Sequence, residues 1–257
     1  MNILMTNDDG INSCGLQILA EVLRSIGKHK VTIIAPDTNR SGISHALSIL
    51  NNPVKLSRLA EDTYSCNGFP AECIIVGLKK VLTQWPDLVL SGINQGANLG
   101  TDIIYSWTAA AARQASLAGI PGIALTLAGS GDFCWDMAAS WTVDNLDKLL
   151  KYWKEETFVN VNIPNISNGP LGIVAAWPAV KNYNDTISTM VAHDGSLFCF
   201  LEAGEEMTVY ESGSDCDVIS RNFVSVSPVY NFPAIIKDLC PDAPDYAAVS
   251  ARGGKEG

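Results

Sequence analysis

Two adjacent carboxylates, Asp8 and Asp9, stand directly behind the apolar run Asn2–Thr6 and ahead of Gly10. Ionised together in a partly buried crevice they repel each other, and a compensating positive charge would relieve that cost. Carboxylate, hydroxyl and amide oxygens are hard donors suited to Mg²⁺, Mn²⁺ or Ca²⁺, whereas the lack of a neighbouring His or Cys makes the group a poor zinc or copper site. The plainer reading of either aspartate is a cap on the helix that follows. A second group, Ser41-Gly42 with Ser44, follows the run Val31–Ala35, and a third, Ser91 to Gly100, follows Asp87–Leu90. In that third stretch Gly92, Gly96 and Gly100 let the backbone approach a ligand, and Asn94 and Asn98 offer short-chain oxygens as ligands or as turn formers. Tyr105-Ser106-Trp107-Thr108 then leads into the alanines at 109–112. Hydroxyls beside the free amides of a helix start suit a phosphate, and simple capping by Ser106 is compatible with that role.

These residues converge only if the elements between them form an open parallel sheet. Residues 2–6 read as a buried strand, Leu16, Leu19, Ala20, Leu23 and Ile26 recur at helical spacing from near Asn12 or Ser13 to Gly27, and 31–35 is a second β-branched run. Strand, helix and strand within ~34 residues make a βαβ unit, whose crossover requires parallel strands. A helix over 70–83 opened by Pro70, a strand at 87–91, an alanine-rich helix to Gly119, a strand at 122–126 and a helix over 135–153 continue the alternation. The expected fold is therefore α/β: a Rossmann-like, doubly wound, mostly parallel sheet over 1–155. Beyond 156 the rhythm turns to strands at 157–163, 171–177, 197–202, 206–211 and 222–229, and helical spacing returns only at Pro233–Ile236. Residues 156–240 are thus expected to be a β-rich extension with a hairpin arm serving oligomerisation, and 241–257 a flexible tail. In such a sheet ligands sit beyond the carboxyl ends of the strands, which puts all three loops on one edge.

Composition narrows the partners. The 257 residues carry 17 basic and 27 acidic side chains, a formal charge of −10, which disfavours a nucleic-acid polymer or an anionic membrane. A phosphate ligand must then be met locally, by a cation or by backbone amides. Seven cysteines without a C-x-x-C pair argue for buried free thiols in a reducing compartment, and no leader or membrane-spanning run is evident, so a cytoplasmic location is expected. The first turn lacks Gly-x-Gly-x-x-Gly, which argues against a Rossmann dehydrogenase.

Taken in order, Asn7-Asp8-Asp9-Gly10, Ala35-Pro36-Asp37 with Arg40-Ser41-Gly42, Ser91-Gly92-Ile93-Asn94 with Gly96, Asn98 and Gly100, and Tyr105-Ser106-x-Thr108 resemble the signature blocks of the survival protein SurE family. Asn160-Val161-Asn162-Ile163-Pro164 and Val224-Ser225-Val226-Ser227-Pro228 resemble its later blocks, so the likeness spans roughly residues 1–232. The resemblance implies a metal-dependent phosphomonoesterase acting on nucleoside 5′- and 3′-monophosphates, with short polyphosphates as a further substrate class, on a Rossmann-like domain with a hairpin extension assembled as a homodimer or homotetramer. It also implies one divalent cation per subunit, Mg²⁺ or Mn²⁺, on Asp8, Asp9, Ser41 and Asn94, with Ser106, Thr108 and Asn98 at the phosphate. Asp8 and Asp9 are the expected catalytic pair, Asp9 the more suited to moving a proton, and His45 is a candidate general acid set against plain packing. A phosphoaspartate route is the rival chemistry, weakened by the absence of a lysine near these loops. Trp107 departs from the glycine usual in the family at that position and Ala109-Ala110 from a Val-Gly-type pair. If a glycine conformation were needed there the phosphate loop would be rearranged, which motivates the alternative of a catalytically weakened nucleotide-binding sensor and predicts that Trp107→Gly raises turnover. If instead the side chain points outward, the indole either roofs the pocket and stacks on a base, in which case that change lowers turnover, or simply packs on a neighbour.

Overall fold

A computed structural model describes residues 1–39, 44–48, 52–207 and 210–233. Its centre is a run of parallel strands: β1 (Asn2–Thr6), β2 (Lys30–Pro36), β4 (Thr63–Cys66), β5 (Leu88–Gln95), β6 (Gly122–Ala128) and β7 (Thr157–Pro164). They lie side by side in the order β4-β2-β1-β5-β6-β7. The antiparallel β3 (Leu56–Ala60) edges β4, while β11 (Val224–Tyr230) pairs antiparallel with β7 and β8 (Ile173–Ala175) closes that side. The strand order reverses at β1, which is flanked by β2 on one side and β5 on the other, and there the following loops part to leave a crevice.

Period-two alternation explains why both faces need helices. Ile3, Met5, Ile33, Leu88, Leu90, Ile123 and Leu125 point into one core with Leu16, Leu19 and Leu23 of α1 (Cys14–Ser25) and Leu146 and Leu149 of α5 (Trp135–Leu150). Leu4, Ile34 and Val89 point the other way, onto α2 (Pro70–Val76) and α4 (Trp107–Leu117). Buried on both faces, these strands read as continuous apolar runs, as parallel strands should. The alanines of α4 bring its backbone close to the sheet, so that a side chain at Gly122 would strike the Ala112 carbonyl.

Several boundaries differ from the sequence expectation for local reasons. Strand β5 runs on to Gln95 instead of ending at 91, because an extra residue is absorbed as a bulge against β6 between Ser91 and Asn94. Gly92 sits in that bulge at φ +129°, and a side chain there would meet the Leu125 carbonyl. The helix expected over 70–83 keeps α form only to Val76 and continues as a π-helical turn over Gly77–Val81. The β3–β4 hairpin, the strand β9 (Thr186–Val191), the short helix α3 (Asp102–Tyr105) and the helix α6 (Asp215–Ser220) carry too little periodicity to announce themselves. Of the strands expected beyond 156, that at 171–177 shrinks to β8 and that at 222–229 shifts to 224–230. No strand forms among the described residues of 206–211, where Glu206 makes one bridge to Tyr183.

β9 and β10 (Leu197–Glu202) form a separate two-stranded antiparallel sheet. This arm exposes Ile187, Val191, Leu197, Phe198, Phe200 and Leu201. Cys66, Cys73 and Cys216 are buried thiols as expected, but Cys14 and Cys199 are exposed, and Cys240, the 241–257 tail and nearly all of the turn at 233–236 lie outside the described residues. No described helix is long and apolar enough to cross a membrane.

Candidate functional site

The loop after β1 is built from the inside. Asn7, fully buried, donates through Nδ2 to the Gly10 carbonyl at 3.0 Å and to Ser13 Oγ at 2.5 Å, closing the turn that carries Asp8 and Asp9 and meets α1 at its cap, Ser13. Across the switch point Asp9 Oδ2 accepts from the Gln95 amide at 3.3 Å, so the ends of β1 and β5 are joined through the carboxylate. Asp8 Oδ1 accepts from Thr108 Oγ1 at 2.6 Å, which joins the same loop to the first turn of α4. Ser106 caps α4, its Oγ accepting from the Ala109 amide at 3.1 Å.

These elements enclose a cavity of about 370 Å³ lined by Asp8, Asp9, Asn94, Gln95, Gly96, Ala97, Asn98, Asp102, Tyr105, Ser106 and Trp107. Five of the seven sequence-selected site residues, Asp8, Asp9, Asn94, Asn98 and Ser106, therefore share one surface. Thr108 is brought to the site beneath it, fully buried with its hydroxyl spent on Asp8. Ser41 lies outside the described residues. His45 is held away, its Nε2 2.9 Å from Gln114 Oε1, two turns along α4 from Ser106.

Charge is the site's dominant property. Among the described residues three carboxylates, from Asp8, Asp9 and Asp102, line the cavity, and no Lys, Arg or His does. Burial, reinforced by the neighbouring Asp9 and opposed by the Thr108 hydrogen bond, pushes the Asp8 carboxyl up to about 6. Burial also raises Asp9, against the lowering effect of the Gln95 amide. An anionic ligand would meet repulsion here unless a cation came with it. The donors fit a hard divalent ion: two carboxylates, plus the Oδ1 of Asn94, whose Nδ2 is occupied by the Gly96 carbonyl at 2.8 Å. Among the described residues no three His, Cys, Asp or Glu side chains stand close enough together to hold one ion, Asp102 being set apart from Asp8 and Asp9, so the donor set is of mixed carboxylate and amide type and not of zinc type.

Support for the cavity floor comes from residues that the sequence offered only as late motif blocks. Asn162 Oδ1 accepts from the Asn98 amide at 2.9 Å, and Asn160 and Asn162 both donate through Nδ2 to the Asn98 carbonyl, at 2.9 and 3.0 Å. Asn98 Nδ2 in turn donates to Thr126 Oγ1 at 2.9 Å. Asp215, fully buried, accepts from the amides of Gly100 (2.7 Å), Ala179 (2.9 Å) and Cys216 (2.9 Å), tying the Gly100 loop to the segment entering the arm. At the rim, Asp102 is bonded by Lys181 Nζ at 2.8 Å and by the Tyr183 hydroxyl at 2.6 Å, and Lys181 also pairs with Glu206 at 3.1 Å. A lysine thus does reach the edge of the site, across 79 residues, but spent on two carboxylates.

Trp107 occupies the first turn of α4 with an ordinary helical backbone, so no glycine conformation is required there. Its side chain is 1% exposed, packed edge-to-face on Phe69 with ring centroids 5.1 Å apart. The packing reading of this residue holds, and its backbone conformation removes the motive for a rearranged phosphate loop.

Residues 3–184 match the family model described as Survival protein SurE. A protein of Synechococcus sp. (strain JA-3-3Ab) named 5′-nucleotidase SurE is 36% identical over 256 residues, covering 96% of this chain and 95% of the relative. Another of that name, from Pelobacter propionicus, is 38% identical over 236 residues, covering 90% and 93%. The crystal structure of SurE protein from Aquifex aeolicus superposes with a TM-score of 0.81 at 34% identity, over 93% of this chain and 99% of that one.

Proposed function

Given that the chain belongs to the survival protein SurE family, we propose that it is a 5′-nucleotidase, hydrolysing nucleoside 5′-monophosphates to nucleoside and phosphate with the help of a divalent cation. The observation that carries this reading is the joining, in one cavity lined by carboxylates and, among the described residues, by no cationic side chain, of Asp8, Asp9 and Asn94 with the hydroxyl and amides that open α4. Asp8, Asp9 and Asn94, with Ser41 as the family resemblance implies, would hold Mg²⁺ or Mn²⁺, one ion per subunit, and the bound ion would supply the positive charge that the phosphoryl oxygens and the attacking water need.

The chain's own groups do the rest. Ser106, whose oxygen already accepts from Ala109, directs its proton into the cavity, and with the amides of the first turn of α4 it receives the phosphoryl oxygens. Asn98 is fixed at backbone and side chain by Asn162, Asn160 and Thr126, so it meets the substrate without first losing rotamer freedom. Thr108, bonded to Asp8, orients that carboxylate. Asp9, the less buried of the pair, moves the proton between water and the departing alcohol. The arm serves assembly: a two-stranded sheet with apolar side chains open to solvent is marginal alone, and a second copy of this chain is the occupant we infer, as homodimer or homotetramer.

The test is release of inorganic phosphate from a panel of nucleoside 5′- and 3′-monophosphates and short polyphosphates, with Mg²⁺ or Mn²⁺ and after chelation. Release from a nucleoside 5′-monophosphate that a chelator abolishes without unfolding the chain is expected. Binding without release, or release indifferent to the chelator, would overturn the reading.

A further inference from the structure

Two aromatic side chains line the cavity, and they differ sharply in what they offer. Trp107 is 1% exposed, with its ring engaged by Phe69. Tyr105 is 60% exposed on the same cavity wall. An aromatic ring so open at the mouth of a polar, anionic cavity is not there for the core, because it buries little and contributes little to folding.

Its backbone, in contrast, is fixed. Tyr105 is the last residue of α3, and the Ser106 amide that follows donates to the Asp102 carbonyl at 3.0 Å. Ser44 reaches over from the second loop to donate its amide to the Tyr105 carbonyl at 3.2 Å and its hydroxyl to the Ile104 carbonyl at 2.7 Å. A free side chain on a held backbone is what a ligand platform requires, since little ordering is left to be done on binding. Tyr105 and Ser106 are also neighbours, with Cα atoms about 3.8 Å apart, and both line the cavity, so a phosphate held at Ser106 and the start of α4 leaves the rest of a nucleotide beside the residue that carries the open ring.

We infer that Tyr105 is a specificity-determining residue whose ring face stacks on the nucleobase of the substrate, so that this one side chain carries much of the site's preference for base-bearing phosphate monoesters over bare sugar phosphates. The inference rests on the nucleotidase reading and deepens it. Stacking is a face-to-face contact that any base can make and that grows with ring area.

The experiment compares wild type, Tyr105→Ala and Tyr105→Phe on adenosine 5′-monophosphate and ribose 5-phosphate, reading kcat/KM with kcat and KM resolved, and dissociation constants by calorimetry. The wild type is expected to favour the nucleotide. In Tyr105→Ala the ratio of the two kcat/KM values falls at least about fivefold, chiefly through the nucleotide's KM, in line with what base–aromatic stacking contributes. Tyr105→Phe, which keeps the face and loses the hydroxyl, retains the ratio. An unchanged ratio in Tyr105→Ala overturns the inference, and so does a Phe variant that behaves like Ala, which would assign the effect to the hydroxyl. Should wild type turn over neither compound, the nucleotidase reading fails. The ratio of dissociation constants then judges Tyr105 separately, and absence of binding to both compounds overturns the inference as well.

Discussion

Replacing Asp8 by Asn removes a buried charge while keeping an oxygen where Thr108 donates, so the electrostatic cost of the site is read nearly alone. In the folded chain the Asp8 carboxyl titrates at about 6 against an ordinary 3.8, chiefly because of its burial. Between those two pH values the folded protein holds a proton that the unfolded chain has released. Stability therefore falls as pH rises through the window, and the whole penalty is present above about pH 6. At ~1.4 kcal/mol per pH unit the gap corresponds to about 3 kcal/mol at pH 7.5 and only about 0.6 kcal/mol at pH 4.

In metal-free protein Asp8→Asn should then melt roughly 6–12 °C above wild type at pH 7.5, a difference shrinking to ~1–2 °C at pH 4. Adding Mn²⁺ or Mg²⁺ should reverse the ranking. Wild type gains about 4.1 kcal/mol at a thousandfold excess over the dissociation constant, more than the ~3 kcal/mol penalty, while the variant lacks a ligand and gains little. Thermal unfolding by circular dichroism, in chelator and in metal at both pH values, checks this. An Asp8→Asn variant that melts at or below wild type in chelator at pH 7.5, or an advantage that persists unchanged at pH 4, would refute the account of Asp8 as a carboxylate destabilised by burial until a cation joins it.

Trp107→Gly, which the sequence alone suggests as an activating change, should instead cost ~3–5 kcal/mol in denaturant unfolding, since it deletes a fully buried indole packed on Phe69. A loss under 1 kcal/mol would mean that the ring contributes little to the packing. The intact chain should sediment as a dimer or tetramer, and charged substitutions at Phe198 and Phe200 of the arm should shift it to monomer; a wild type that is monomeric at micromolar concentration would remove the arm's proposed role.

What could be read in advance follows the range of the interactions. The parallel core was legible because Ile3, Leu4 and Met5 are buried whichever face they choose, and so form an unbroken apolar run that local pattern records. Asp8, Asp9, Asn94, Asn98 and Ser106 were legible because each follows a strand end or opens a helix, and the switch-point rule then places them together. Their supports were not. Asp215 reaches Gly100 across 115 residues from a six-residue helix, and Lys181 reaches Asp102 across 79. Neither separation leaves a period, a cap or a turn in the local sequence. The same gap hid the partner of Thr108, whose hydroxyl, at a helix start, donates to Asp8 100 residues away.

That bond has a chemical consequence. A Thr108 hydroxyl committed to Asp8 favours the ionised carboxylate that burial opposes, so the phosphate-binding end of α4 and the cation-binding end of β1 are not independent halves of the site. They share one hydrogen bond. A displacement of the first turn of α4 lengthens that bond, weakens the ionised form of Asp8 and so loosens the cation site as well. Packing of Trp107 on Phe69, in the same turn, accordingly holds both ends of the site at once.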